Sequence, residues 1–126
     1  MEQENKQEIK RGDVFFIEND QLKLSFPHEQ AGPRPAVVIQ NDIGNLHSPT
    51  IIVAYITSQW KKKMPTHVIT WKTIKSSVIM CEQIATVSKE RLGRFCCHLS
   101  DADMTRVDKA IKVSLGLEGG TKNETF

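Results

Sequence analysis

The sequence predicts a mainly β domain, a twisted antiparallel sheet or small barrel packed against one C-terminal amphipathic helix. Two observations carry the prediction. Short β-branched and aromatic runs recur at close spacing from residue 13 to residue 98, separated by turn-forming residues. At Ser100 the apolar period then changes from that of strands to that of a helix.

Taken in order, Asp13-Val14-Phe15-Phe16-Ile17-Glu18 is bounded by Gly12 and by Asn19-Asp20 and reads as a strand. Residues 21–33 read as a long loop. Residues 35–40 and 50–57 read as central, largely buried strands, with the turn formers Asn41-Asp42-Ile43-Gly44-Asn45 between them. Trp60-Lys61-Lys62-Lys63 interrupts the pattern, and shorter apolar runs follow at 67–69, 78–80, 84–87 and 94–98. Met104, Val107, Ala110, Ile111 and Leu115 then recur at helical spacing behind a Ser-x-x-Asp cap made by Ser100 and Asp103. Gly119-Gly120 is expected to stop this helix. The organisation expected is a flexible arm over residues 1–9, one domain over 10–118 and a polar tail over 119–126.

A chain of 126 residues is one domain's worth and can bury a single core without metal or disulfide staples. The net charge of +2 and a sequence pI near 8.5 mean that affinity for a polyanion must come from how charge is placed. Three cysteines, with Cys96 and Cys97 adjacent, make neither an even disulfide framework nor a Cys-x-x-Cys pair, and they read as small core residues in a reducing cytosol. The first ten residues are polar, and no apolar run reaches the length of a bilayer span, so secretion and membrane insertion are not expected. His47, His67 and His98 are scattered, with no carboxylate pair at metal-ligand spacing around them, so neither a metal nor another cofactor is expected. Arg11-Gly12-Asp13 matches an integrin-binding tripeptide only superficially, since Asp13 opens a strand.

Glu29-Gln30-Ala31-Gly32-Pro33-Arg34-Pro35 runs directly into the apolar Ala36-Val37-Val38-Ile39 and then Gln40-Asn41-Asp42. This string resembles the signature of the MazF/PemK toxins. Four further pieces fall in matching order: Lys10-Arg11-Gly12-Asp13-Val14, Ser48-Pro49-Thr50, Ile56-Thr57-Ser58 and Pro65-Thr66-His67-Val68. Any one could occur in an unrelated loop, but five in register over nearly the whole chain are specific. The resemblance implies a CcdB/PemK-like fold, an SH3-like barrel, in a cytoplasmic homodimer. It also implies metal-independent cleavage of single-stranded RNA at short sequences, and an antitoxin partner whose partly disordered tail occupies the RNA groove.

RNA is cut without a metal when its own 2′-hydroxyl attacks the adjacent phosphate, leaving a cyclic phosphate and a free 5′-hydroxyl. The protein must accept the 2′-hydroxyl proton, neutralise charge on the non-bridging oxygens and protonate the leaving oxygen. Arg34 suits the second task, because its planar guanidinium stays charged and holds two phosphate oxygens at once. Thr57 can donate a hydroxyl hydrogen bond to the same phosphate from a β-branched side chain with few rotamers. His28 and Glu29, upstream in the loop leading to Arg34, are the candidate proton acceptors.

Here the chain departs from the family pattern. Many relatives carry a serine at the position of His28, whereas this stretch reads Ser25-Phe26-Pro27-His28. Either His28 has become the base, or it touches phosphate only, or it stands aside. Trp60 with Lys61, Lys62 and Lys63 pairs a stacking surface with cationic side chains and is a candidate RNA or antitoxin contact. Gln30, Gly32, Gln40 and Ser58 complete the RNA-contacting set that the resemblance implies. Two alternatives stand beside the ribonuclease: a gyrase poison like CcdB, whose Trp-Gly-Ile end contrasts with Asn123-Glu124-Thr125-Phe126 here, and a catalytically silent binder of RNA or protein.

Overall fold

The computed structural model describes residues 8–18, 33–59, 64–71 and 76–117. Its elements are β1 (Asp13–Ile17), β2 (Arg34–Val38), α1 (Asp42–His47), β3 (Thr50–Thr57), β4 (His67–Thr70), β5 (Ser77–Ser88), β6 (Leu92–His98) and α2 (Asp101–Leu115). The strands form one sheet in the order β4-β5-β3-β2-β1-β6, and every neighbouring pair is antiparallel. β5 and β6 stand apart in that order yet are joined only by a single 3₁₀ turn at Lys89–Arg91. Val87 before the turn and Leu92 after it pack into one cluster with Phe15, Ile17, Ala36, Val38, Ile51 and Val53. The five strands from β5 to β6 therefore curl into the SH3-like barrel, with β4 added outside β5.

Strand alternation sends the other set of side chains to the opposite face. There Val14, Val37, Ala54, Ile56 and Ile79 meet Leu99 and the α2 residues Val107 and Ala110. Cys81 belongs to this cluster, and burial pushes its thiol up to about 12, as expected of an inert core residue. Cys96 and Cys97 pack against its margin.

Three local expectations need correction. Asn41 to Asn45 is part of a helix rather than a turn: the Asn41 side chain accepts the Gly44 N–H at 2.7 Å as an N-cap, and buried Asn45 donates its amide to the Gln40 carbonyl at 3.0 Å. Residues that favour turns also favour helix caps, which is why composition alone misread the segment. The apolar runs at 78–80 and 84–87 are two halves of one twelve-residue strand, β5. Between Ala54 and Ile56 β3 advances two residues while its β5 partner passes from Ile84 to Ile79, so β5 carries three extra residues where the apolar pattern breaks. The helix stop is Gly116, left-handed at φ 68°, with the Leu117 N–H returning to the Lys112 carbonyl at 2.9 Å; Gly119 and Gly120 lie outside the described residues.

The start of the chain clamps these layers together. Gly12 takes φ 99°, which favours glycine, and donates its N–H to the Val38 carbonyl at 2.9 Å. Arg11 bonds the Ile39 carbonyl and the Asp108 carboxylate on α2, each at 2.7 Å, while its backbone N–H reaches Asp42 on α1 at the same distance. Buried Asp13 accepts a 2.7 Å hydrogen bond from His98 Nδ1 at the end of β6. The Arg11-Gly12-Asp13 string is thus consumed by the fold. Ser100 caps α2 by accepting the Asp103 N–H at 3.1 Å, and the buried Asp103 carboxylate is met by the Thr70 hydroxyl at 3.1 Å and by Arg106.

Beside the β4–β5 pairing, Glu82 accepts the Thr66 hydroxyl at 2.8 Å and contacts His67 Nε2 at 3.1 Å. Burial alone would raise the Glu82 carboxyl, but the hydrogen bonds from Thr66, from a backbone N–H and from His67 outweigh it and hold the group below its ordinary value of 4.5.

Two stability predictions follow from these contacts. Ile79 is fully buried between the sheet and α2, so Ile79→Ala should cost about 2–5 kcal/mol in denaturant unfolding, against about 1 kcal/mol for the cap mutant Ser100→Ala. Because Glu82 binds its proton less readily in the folded chain than in the unfolded one, its contribution is present above pH 4.5 and is lost as the pH falls below it. Glu82→Gln should lower stability at neutral pH and make the acid limb of a stability-against-pH curve shallower; an unchanged limb would refute the assignment.

Candidate active site

Arg34 opens β2 between two prolines. A residue preceding proline is biased to extended backbone, which sets Arg34 at the strand's first position, where it pairs with Ile17 of β1. Pro35 has no N–H for a ladder, and pairing of β2 with β3 begins one residue later, at Ala36 opposite Tyr55, continuing through Val37 with Ala54 and Val38 with Val53. Each pair sums to 91, so the same register carried two residues further sets Arg34 opposite Thr57. Directly opposed residues share a face with Cβ atoms roughly 5 Å apart. Extended in this way, the register sets the two residues proposed from sequence across from each other at the end of the sheet, beyond the last paired rung.

Between them sits a residue that the sequence reading did not single out. The guanidinium carbon of Arg34 lies 4.6 Å from the centre of the Tyr55 ring, a cation–π contact. The ring restricts where the guanidinium sits, and a guanidinium is the group suited to a bidentate phosphate contact. Tyr55, half-buried against the barrel cluster, is held in turn by the core. A signal for it existed: it is the only tyrosine in the chain, and it stands two residues before Thr57, hence on the same strand face.

Thr57 ends β3 half-buried, and its Oγ1 accepts the Gln59 N–H at 3.0 Å. That bond uses a lone pair and leaves the hydroxyl hydrogen for donation to an anion. Ser58 follows it and is exposed. Gln40 does not join them. It lies six residues along the chain from Arg34, roughly 20 Å away at the other end of β2. Its amide donates to Asn45 at 3.1 Å and to the Thr50 carbonyl at 3.0 Å, so it braces α1 against β3. His28, Glu29, Gln30, Gly32, Trp60, Lys61 and Lys62 lie outside the described residues. Among the described residues, no cluster of three or more His, Cys, Asp or Glu side chains is placed to hold a metal ion, and no helix is long and apolar enough to cross a membrane.

An arginine held on an aromatic ring and a hydroxyl donor opposite it form a compact anion-binding pair suited to a phosphodiester. Known proteins of similar sequence and shape point the same way. The chain is 50% identical over 114 residues to Endoribonuclease EndoA of Bacillus subtilis, an alignment spanning 86% of this chain and 96% of that protein. In fold it matches a mycobacterial endoribonuclease solved in complex with its cognate antitoxin, with a TM-score of 0.72 at 22% identity over 87% of this chain and 97% of the other. It matches MazF of Deinococcus radiodurans with a TM-score of 0.71 at 18% identity over 88% and 99%. Residues 10–115 match the family model of the PemK-like, MazF-like toxins, and with the EndoA identity this shows that the chain belongs to that family of type II toxin–antitoxin toxins.

Proposed function

We propose that the chain cleaves single-stranded RNA at short sequences, without a metal ion, through attack of the substrate's own 2′-hydroxyl at a site centred on Arg34 and Thr57. As a member of the family it is an endoribonuclease toxin. The observation that supports the reading is the β2–β3 register, which carried two residues past Ala36–Tyr55 sets Arg34 opposite Thr57, with the Arg34 guanidinium carbon 4.6 Å from the centre of the Tyr55 ring.

In the reaction the 2′-oxygen forms a bond to phosphorus as the bond to the 5′-oxygen breaks. A base takes the 2′ proton and an acid returns one to the leaving oxygen, giving a 2′,3′-cyclic phosphate and a 5′-hydroxyl. Arg34 stabilises the charge that grows on the non-bridging oxygens, and Thr57 donates its hydroxyl hydrogen to the same group. Arg34 is assigned charge stabilisation rather than proton transfer, because a guanidinium does not give up its proton in a protein. The base is sought in His28 and Glu29. Ser58 beside Thr57, with Gln30, Gly32, Trp60, Lys61 and Lys62, is assigned to holding the strand, whereas the bonded amide of Gln40 argues against a direct role for it. The working form is a cytoplasmic homodimer neutralised by a cognate antitoxin; the antitoxin complex of the mycobacterial relative supports that partner.

Long single-stranded RNA incubated with the protein in EDTA should yield discrete cuts with 5′-hydroxyl ends. Arg34→Ala should lower kcat about 10²–10³-fold, the loss typical of removing one transition-state donor. Arg34→Lys should recover little of it, since the lysine neither forks nor lies flat on Tyr55. Thr57→Val should be impaired less, and Tyr55→Phe, which keeps the ring, should exceed Tyr55→Leu. Full activity in Arg34→Ala, or cuts that vanish in EDTA, would overturn the mechanism.

For the base, single-turnover rates against pH decide. Whichever of His28→Ala and Glu29→Gln loses the rising limb of the profile identifies the proton acceptor. If both keep it, the acceptor lies elsewhere.

A further inference from the structure

We propose that Trp71 is a stacking platform for a base of the bound RNA a few nucleotides from the cut phosphate, and so a residue that sets substrate affinity and context. The inference rests on the assignment of the cleavage site to Arg34 and Thr57. Trp71 is 75% exposed, immediately beyond the end of β4, and the function derived so far makes no use of it.

The sheet brings it to the site. Ile69 of β4 pairs with Val78 of β5, and Val78 pairs with Thr57 of β3, whose register partner on β2 is Arg34. One rung therefore crosses four strands and ends on the reacting pair. Trp71 lies two residues past Ile69 at the same end of the sheet. Thr70, between them, is buried and bonds Asp103 of α2 at 3.1 Å, so alternation directs Trp71 to the face away from α2. Arg34, Tyr55 and Thr57 occupy that face too, since they share it with Ala36, Val38 and Val53 of the barrel cluster. With strands about 4.8 Å apart and a rise of about 3.3 Å per residue, the Trp71 backbone is roughly 12 Å from Thr57 and roughly 16 Å from Arg34. A strand anchored at Arg34 spans that distance in a few nucleotides.

The chemistry of the surroundings favours a nucleobase over a protein surface. On this face the residues between Trp71 and the site are Ile69, half-buried, and Val78, buried, which add little exposed apolar surface to the indole, and the His67–Glu82 pair lies farther along the same two strands. Among the described residues, the other exposed large apolar side chains, Ile43 and Leu46 on α1, Phe95 on β6, and Leu115 and Leu117 at the end of α2, belong to elements other than β4. An exposed indole whose aliphatic neighbours Ile69 and Val78 are themselves half-buried and buried offers little of the contiguous apolar patch of a protein interface, but one π-face is all that a base needs.

The test uses two RNAs built around a cut site mapped with the unaltered protein: a minimal one, and one extended by several nucleotides on both sides. In Trp71→Ala, KM for the extended RNA should rise roughly five- to 150-fold with kcat unchanged, as expected for one lost base–aromatic stack. KM for the minimal RNA should not move, and Trp71→Phe should retain most of the affinity. Extending the RNA on one side at a time then locates the stacked base. Equal KM values for Trp71→Ala and the unaltered protein on the extended RNA, with Arg34→Ala inactive, would overturn the stacking role while leaving the cleavage site intact. An active Arg34→Ala would instead sink the site assignment and the inference that rests on it. Unchanged RNA kinetics with weakened antitoxin binding, or with an altered molar mass in light scattering, would assign the indole to a protein contact and overturn the RNA role.

Discussion

The antiparallel register of β2 against β3 is the constraint on which both the core and the site depend. It pairs Val37 with Ala54 on the α2 side and Ala36 with Tyr55 on the barrel side, so one alignment fills two apolar clusters. A slip of β2 by one residue would exchange its faces, turning Arg34 toward α2 and Val37 toward the barrel while Thr57 stayed on its own face. No separate device is needed to bring an arginine and a hydroxyl from distant parts of the chain to within reach of one phosphate.

The elements around this pair of strands serve to keep the register. Arg11 joins β2's exit, α1 and α2, and the Gly12 N–H caps the Val38 carbonyl where β2 ends. Gln40 and Asn45 exchange hydrogen bonds that brace the short α1 connection into β3. A resemblance read from strings of residues cannot separate such bracing groups from RNA contacts, because both occur in the same motif. The structure separates them by position: Arg34 lies at the open end of β2, Gln40 at the tied end.

How much of this was legible in the sequence follows the range of the interactions concerned. Strand β3 and the capped α2 were readable because their signals are local, a β-branched run in one case and a Ser100–Asp103 cap in the other. The continuity of β5 was not, because three extra residues at its irregularity break the apolar pattern while the backbone stays paired. Helix α1 was missed for the opposite reason, since its residues carry a signal shared by turns and caps. Arg34 and Thr57 were singled out through motif order alone; Tyr55 was passed over, because its contact with Arg34 exists only once two strands are in register.

The Tyr55 contact bears on how the reaction divides its tasks. On the proposed mechanism a guanidinium seated against the Tyr55 ring supplies charge stabilisation through N–H groups whose fork suits two oxygens of a single phosphate. Thr57 is similarly preset, its oxygen pinned by the Gln59 N–H so that the hydroxyl hydrogen is the free variable. On that proposal both groups serve the developing anion, and neither is suited to take a proton near neutral pH. The proposal thus separates electrostatics, carried by the sheet, from proton transfer, assigned to the loop before Arg34. If His28 is the base, the histidine at that position would alter the pH response of the reaction while the sheet-borne anion site stayed as it is.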